Sequence, residues 1–148
     1  MRVAQPLYAM ELPGQWTLEE LEGADRWTSG AQELIVSVLR IPAAEQLDRT
    51  TLLADLANAV AQSRQAARNF ARGELILDDD AVMRTEGPIV SASYTGTSDD
   101  GGEVSVTVVM TARAIEGLAY VATLYAFGPS ARAIGAAVAA NLELGAGG

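Results

Sequence analysis

The chain contains no cysteine, no histidine and no lysine. Without cysteine it can form neither a disulfide nor an iron–sulfur cluster, and it has no thiol nucleophile. Without histidine it lacks the commonest general base and the commonest metal ligand. Without lysine it has neither a Schiff-base amine nor the phosphate-binding residue of a P-loop. These absences remove the familiar catalytic constellations, so we expect no enzymatic activity, no bound metal and no cofactor.

Long apolar runs are also missing. No stretch approaches the roughly 18 apolar residues of a membrane span, and residues 1–12 contain no apolar run of signal-peptide length. The sequence therefore predicts no membrane span and a cytoplasmic protein. A chain whose signal or lipoprotein segment had been removed would show the same pattern, so that alternative stays open.

Cations are few, and all of them are arginine. The 148 residues carry 10 basic and 19 acidic side chains, a net charge of −9. An acidic surface repels phosphate backbones, so nucleic acid is not expected as a partner. With 49% apolar and 20% charged residues, the composition is that of an ordinary globular protein. We expect a single domain over residues 1–144 and a flexible tail at 145–148.

Most of the chain alternates polar and apolar residues with a period of two, which predicts β-strands. Pro13-Gly14 is interpreted as a tight turn that joins the first two of these strands. The segment 33–41 is nearly apolar on both faces, which is typical of a strand in the middle of a sheet. The predicted strands cover residues 7–12, 16–23 (with an extension through 24–27 left open), 33–41, 74–78, 81–86, 89–98, 103–114 and 118–127.

Two segments have a helical period instead. Residues 48–72 carry one apolar stripe and predict a single long helix, with Asp48 as its N-cap and Gly73 closing it. Leu47 and Leu52 stand at the two positions of a hydrophobic staple. A second helix follows Gly128-Pro129, with an apolar residue every four positions. The sequence thus predicts an α+β fold: a single antiparallel β-sheet with one long central helix and a C-terminal helix.

The stretch "ELPGQW" (11–16) and the order of elements carry a resemblance. A strand that ends in Leu-Pro, then a glycine and a tryptophan that starts the next strand, resembles the beginning of PsbP-like domains. The segments "YTGTSDDGGEVSVTVVMTA" and "GLAYVATLYAF" resemble the paired central strands of that superfamily, an α/β/α sandwich. Its members include an extrinsic photosystem II subunit, a nuclear-import factor that binds a small GTPase, DcrB-type lipoproteins and chaperones of type VI secretion effectors.

The resemblance implies a function in binding other proteins. It points to a non-enzymatic adaptor or chaperone-like module of a bacterium, linked to secretion of a partner protein. Two other hypotheses stay open: a carrier of small apolar ligands with a cavity between sheet and helix, and a hydrolase that uses carboxylates alone. The sequence does not identify the partner, and a homodimer is left open.

Five residues are candidate partner contacts. Arg64, Arg68 and Arg72 are four residues apart, so a helix places them on one ridge that could meet an acidic partner. A solvated helix face near the C-terminal dipole would give the same spacing. Trp16 and Trp27 could form part of a binding patch or belong to the core, because each tryptophan has a large apolar area to bury.

Three acidic groups have simpler interpretations. The run of aspartates at 78–80 lacks the spacing of a calcium loop and is interpreted as a polar loop. Asp99 to Gly102 is interpreted as a hairpin turn. Glu19, Glu20 and Glu22 are interpreted as the protective charge of an exposed edge strand, since neighbouring residues on a strand point to opposite faces.

Overall fold

A computed structural model describes residues 1–42, 49–71, 73–78, 81–115 and 117–145. Their secondary structure alternates a few short helices with many strands. In chain order the elements are β1 (Arg2–Gln5), β2 (Tyr8–Glu11), β3 (Thr17–Leu21), β4 (Ala24–Ser29), β5 (Gln32–Pro42), α1 (Arg49–Ala61), α2 (Arg64–Phe70), β6 (Leu75–Leu77), β7 (Val82–Glu86), β8 (Ile89–Ser98), β9 (Glu103–Ile115), β10 (Leu118–Phe127), α3 (Ala131–Asn141) and β11 (Glu143–Leu144).

An antiparallel sheet of eight strands forms the centre of the molecule, in the order β3-β4-β5-β10-β9-β8-β6, with β7 also paired to β8. β5 lies between β4 and β10, as its apolar sequence predicts. Leu34 and Ile35 point to opposite faces of the sheet and are both fully buried. This is the burial expected of a strand covered on both sides.

Different layers cover the two faces of the sheet. On one face, Leu56 and Val60 of α1 and Ala67 of α2 pack in a core with side chains of β8, β9 and β10. On the other face, α3 packs beside a small sheet, β1-β2-β11. Gly135 lets α3 approach the sheet closely, because a Cβ there would lie 3.2 Å from Cγ2 of Val109. The α+β sandwich and its three-strand meander, β8-β9-β10, are therefore present.

The prediction of a single sheet is wrong. β2 pairs with β1 and β11 in the small sheet, whereas β3 pairs with β4 in the large one. Pro13-Gly14 therefore carries the chain from one sheet to the other and does not close a hairpin. Trp16 lies just after this crossing, where its Nε1 donates a hydrogen bond to the carbonyl of Pro13 at 2.7 Å. The motif "ELPGQW" is the connection between the two sheets.

The prediction of one long helix is also wrong. The helical segment divides at Gln62-Ser63 into α1 and α2. The amides of Gln62 and Ser63 bond three residues back, to Ala59 and Val60, so the last turn of α1 tightens. The hydroxyls of Ser63 and of Tyr94 from β8 also donate to the Val60 carbonyl, at 2.6 and 3.3 Å. These bonds favour a break that the apolar period does not reveal.

Smaller differences lie near the chain ends and turns. Residues 24–27 do not extend β3; Gly23, with a φ of 76°, turns the chain so that they form β4. Of the predicted tail, Gly145 donates from its amide to the carbonyl of Leu7 at 2.8 Å. Residues 146–148, the predicted N-cap Asp48 and staple residue Leu47 lie outside the described residues, as does the side chain of Leu52. The boundary at residue 144 stays a prediction.

Candidate functional site

The outer strands of the large sheet are the first place to look for a protein-binding surface. β3 forms one edge, and β6 and β7 together form the other, because both pair with β8. β6 lies opposite Gly96–Ser98 and β7 lies opposite Ile89–Ser93, so they follow one another along the same neighbour. An edge strand presents N–H and C=O groups that can pair with another chain.

The orientation of β6 follows from one hydrogen bond. The amide of Asp78, directly after β6, donates to the carbonyl of Thr95 on β8 at 2.8 Å. In an antiparallel ladder, residues that bond to the neighbouring strand alternate with residues that face away from it. Leu75 and Leu77, at odd positions, therefore direct their backbone groups away from β8. These carbonyls would be free at a bare edge.

Arginines of α2 occupy the outward carbonyls of β6. Arg68 Nε donates to the carbonyl of Leu75 at 3.0 Å, and Arg64 Nη1 donates to that of Leu77 at 3.4 Å. The spacing of four residues correctly predicted that these side chains share one face of a helix. The structure places them against the sheet edge. Arg72 lies outside the described residues, and a role of the three arginines as partner contacts stays a prediction.

β7 has a different environment. All five of its residues are exposed. The backbone of Thr95 on β8 points toward this edge, and every second residue of a strand points the same way. The backbone groups of Ser93 and Ser91 therefore point toward β7. Their partners on β7 are Val82 and Arg84, so the backbone groups of Met83 and Thr85 point outward. Among the described residues, no strand pairs with this outer side of β7.

Apolar side chains are exposed along this edge. The exposed fraction is 71% for Ile76, 61% for Val82 and 43% for Met83. Val82 shares the face of the sheet that α3 covers, whereas Met83 shares the face that α1 covers. A strand added beside β7 would therefore find an apolar side chain on both faces. We call the outward backbone groups of β7, together with Val82 and Met83, the β7 edge.

The opposite edge carries charge. β3 is exposed along most of its length, and Glu19 and Glu20 stand at its centre. Glu19 forms an ion pair with Arg26 on β4, with 3.7 Å between Oε2 and Nη1. Leu18 is the one large apolar residue of β3 that is exposed, at 38%. The interpretation as edge-strand charge is confirmed for Glu19 and Glu20 by the position of β3, whereas Glu22 lies in the turn between β3 and β4.

Both tryptophans are buried in the core between the large sheet and the small one. Trp27 Nε1 donates to the hydroxyl of Tyr8 at 3.1 Å, and that hydroxyl donates to Oδ2 of Asp25 at 2.6 Å. Burial raises the pKa of Tyr8, and the hydrogen bond to Asp25 raises it further. This network connects β2 of the small sheet to β4 of the large one. Contact of Trp16 or Trp27 with a partner stays a prediction.

A pocket opens at the end of the sheet beside the last turn of α2. Its volume is about 500 Å³, and Ala71, Leu75, Val104 and Phe127 supply apolar walls. Glu33 lines the same pocket, and its Oε1 lies 3.7 Å from Nε of Arg26. The Arg26 guanidinium also donates to the carbonyl of Phe70, at the end of α2. A partly buried arginine thus connects β4, β5 and the end of α2.

The described residues hold no cluster of three or more acidic side chains that could bind a metal ion. Of the aspartate run, Asp78 accepts a hydrogen bond from the hydroxyl of Thr95 at 3.0 Å, and Asp79 and Asp80 lie outside the described residues. Within the same part of the chain, no helix has the length and apolar character needed to span a bilayer.

Comparison with solved structures agrees with this architecture. The solution structure of CyanoP, the cyanobacterial PsbP of Synechocystis sp. PCC 6803, superposes with a TM-score of 0.60 at 16% identity. The match covers 97% of this chain and 91% of CyanoP. The chain has a PsbP-like fold. The resemblance seen in "ELPGQW" and in the order of elements is confirmed at this level.

Two further structures share the fold. LpqN of Mycobacterium tuberculosis, a protein involved in cell envelope biogenesis, matches with a TM-score of 0.53 and 13% identity over 97% of this chain and 89% of its own. The Ran-binding protein Mog1p of Saccharomyces cerevisiae matches with a TM-score of 0.53 and 8% identity, over 98% and 95%. No protein-family model matches the sequence, and no curated protein matches it significantly.

The sequence pattern predicts a strand at 81–86 but does not predict that it lies at an edge. The order of strands in a sheet does not follow from the period of a single segment. A signal was present: Val82 and Met83 are adjacent apolar residues in a short segment that is otherwise polar. Adjacent residues on a strand face opposite sides, and a strand so poor in apolar residues has little to bury on either side.

Proposed function

We propose that the protein is a non-enzymatic protein-binding module that accepts an extended segment of a partner at the β7 edge. The observation that carries this proposal is the contrast along one side of β8. The outward carbonyls of β6 are bonded to arginines, whereas the outward groups of β7 have no strand beside them among the described residues. Pairing of an added strand with a sheet edge is a common mode of peptide recognition.

The chemistry of this edge describes the partner segment. Outward groups at Met83 and Thr85 can pair with a strand of about five residues. Exposed Val82 and Met83 favour a segment with an apolar residue on each face. Because the chain carries a net charge of −9, basic residues that flank the segment would speed association and favour this surface over others.

The proposal extends to a biological role. An adaptor or chaperone-like role in a bacterium, linked to secretion of the partner, is the form that the PsbP-like resemblance favours. That one neighbour in fold is a Ran-binding protein supports a protein as the partner. A cytoplasmic location remains part of this proposal. A second copy of the chain is the competing occupant, and the experiment below separates the two.

Site-specific photo-crosslinking tests the β7 edge. A photoreactive amino acid replaces Met83 in one variant and Leu18, the exposed apolar residue of the β3 edge, in a matched control. We expect one protein to form an adduct through Met83 and not through Leu18, always at the same short segment. That protein, once purified, should bind the Thr85→Pro variant at least about tenfold more weakly than the wild type.

Three results would contradict the proposal. The adducts could be the same from Met83 and from Leu18. The purified partner could bind Thr85→Pro as tightly as the wild type, which would mean that the outward amide of β7 is not used. Finally, an adduct of the chain with itself alone would replace the partner with a second copy.

A carrier of small apolar ligands is the second candidate, and the pocket beside α2 favours it. Its volume of about 500 Å³ lies within the range of roughly 300–1,000 Å³ that is usual for small-molecule sites. Glu33 and Glu103 among its lining residues favour a neutral or cationic ligand over a fatty acid. A thermal-shift screen should then show stabilisation that Val104→Trp removes; no shift with any such ligand would eliminate the carrier.

A further inference from the structure

A small cavity between α3 and the β7–β8 hairpin contains an unusual set of side chains. Its volume is about 80 Å³. Arg84 of β7 and Arg132 of α3 line it from two sides, and Ser91 and Thr107 contribute hydroxyl-bearing side chains from β8 and β9. It lies on the face of the sheet opposite α1 and α2, away from the pocket described above.

The two arginines have no partner among the described residues. No hydrogen bond or ion pair joins Arg84 or Arg132 to another described side chain, although the chain has 19 acidic residues for 10 arginines. Glu86 also lines the cavity, yet it lies beyond the 4.0 Å of an ion pair from both. Two unpaired cations and one carboxylate leave the cavity with a net positive charge in an acidic protein.

One hydroxyl is buried in the wall of this cavity. Thr107 is almost inaccessible to solvent, and its Oγ1 lies 3.1 Å from Oγ of Ser93. Either oxygen can be the donor in this bond. If Ser93 donates, the O–H of Thr107 is available to a third group. An acceptor in the cavity would fix that orientation, because a hydroxyl donates only one hydrogen bond.

We propose that this cavity binds a single anionic group, a carboxylate or a phosphate, held between Arg84 and Arg132. Guanidinium groups bind both oxyanions through paired N–H donors and stay charged at every physiological pH. The volume of about 80 Å³ suits one such group and is far below the roughly 300 Å³ at which sites for larger ligands begin. This site does not depend on strand addition at the β7 edge.

Titration of the arginine side chains by NMR tests the site in the full chain. The Nε–Hε signals are followed as sodium phosphate or sodium acetate replaces chloride at constant ionic strength. We expect saturable shifts of the Arg84 and Arg132 signals. Arg40, an exposed arginine on β5, should not respond. Saturation by phosphate alone assigns a phosphate group, and saturation by acetate as well assigns carboxylates; each supports the proposal.

Charge-neutral variants separate recognition from general charge. The double variant Arg84→Gln/Arg132→Gln should weaken binding at least about tenfold, whereas the matched control Arg40→Gln should leave it unchanged. Glu86→Gln should strengthen binding by roughly twofold to tenfold, because it removes the one carboxylate of the cavity. A merely structural role for Glu86 would not produce this gain.

The proposal would be overturned by shifts of Arg40 equal to those of Arg84 and Arg132. It would also be overturned by equal affinity in the double variant and in Arg40→Gln. Absence of saturation with both anions up to about 50 mM would also overturn the proposal, because the dissociation constant would then be too high for specific recognition.

Discussion

The two edges of the large sheet differ in how they are protected against pairing with another chain. β3 carries Glu19 and Glu20 at its centre, and charge on an edge strand opposes pairing with another chain. At the other edge, β6 has its outward carbonyls bonded to Arg64 and Arg68. β7, which lies beside β6 along β8, has two exposed apolar side chains and outward backbone groups that no described strand meets, whereas β3 has one such side chain, Leu18, beside its glutamates.

The β7 edge therefore differs from the other edge strands in the residues that lie around it. Leu77 of β6 pairs with Gly96 and Val82 of β7 pairs with Ser93, so both strands lie along β8. The arginines of α2 bond to the outward carbonyls of β6. All five residues of β7 are exposed, and no described strand pairs with its outer side.

Gly96→Ala should have the largest effect on stability, because it disturbs the pairing of β6 with β8. A Cβ at Gly96 would lie 2.0 Å from the carbonyl oxygen of Ile76, so β6 would have to leave its place on β8. We expect the free energy of unfolding to fall by about 3 kcal/mol, measured by chemical denaturation. In the matched control Gly102→Ala, the new Cβ would meet only side-chain atoms, at 3.2 and 3.5 Å, and the loss should stay below about 1 kcal/mol.

Tyr8→Phe should destabilise the β3–β4 half of the sheet. The variant removes the hydrogen bond to Asp25 and leaves the buried N–H of Trp27 without its acceptor. An unsatisfied buried donor costs about 1–3 kcal/mol, so we expect a loss of roughly 2 kcal/mol by chemical denaturation. Tyr120→Phe, at a partly buried tyrosine with no described hydrogen bond, is the matched control. An equal loss in both variants would contradict the network.

The same tyrosine predicts a dependence on alkaline pH. Burial raises the pKa of Tyr8 and that of Tyr125 above the unfolded value, which is about 10. The contribution of these two tyrosines to the free energy of unfolding is therefore complete below about pH 10. It declines as the pH rises further, because the unfolded chain releases these protons first. The free energy of unfolding should fall between about pH 9 and pH 11, less steeply in Tyr8→Phe. An identical slope in both proteins would count against a buried Tyr8.

Arg64→Met/Arg68→Met should convert the β6 edge into a second β7 edge. The loss of two partly solvated hydrogen bonds should cost about 1 kcal/mol of unfolding free energy. The larger consequence concerns association, because free carbonyls and fewer charges leave the edge open to pairing. Sedimentation should show concentration-dependent self-association that Arg40→Met does not show. A double variant that remains as monomeric as this control would mean that the arginines do not protect the edge.

Thr85→Pro should have the smallest effect and gives the finest test of the β7 ladder. Its amide points away from β8, and proline is tolerated where an edge N–H faces solvent. We expect a loss of less than about 1 kcal/mol. Arg84→Pro removes a donor that faces β8 and should cost about 3 kcal/mol. The opposite order of the two losses would show that the assigned alternation along β7 is reversed.

The sequence predicts most of the fold because periodicity is a local property. β5, the β8–β9–β10 meander and α3 carry their pattern within themselves, and all are present. The second sheet and the break at Ser63 depend on contacts between distant segments: β11 with β2, and Tyr94 with Val60. No local pattern encodes such contacts. The candidate site does not follow from the sequence for the same reason. Whether a strand lies at an edge depends on which other strands pair with it, and its own residues do not show this.

Hydrogen exchange measures directly whether a partner strand adds to the β7 edge. The partner segment found by crosslinking is made as a peptide, and amide exchange is measured in its presence and absence. We expect at least about tenfold slower exchange at Met83 and Thr85, no change at Arg84, and no change along β3. Protection of β3, or no alternation along β7, would contradict strand addition at this edge.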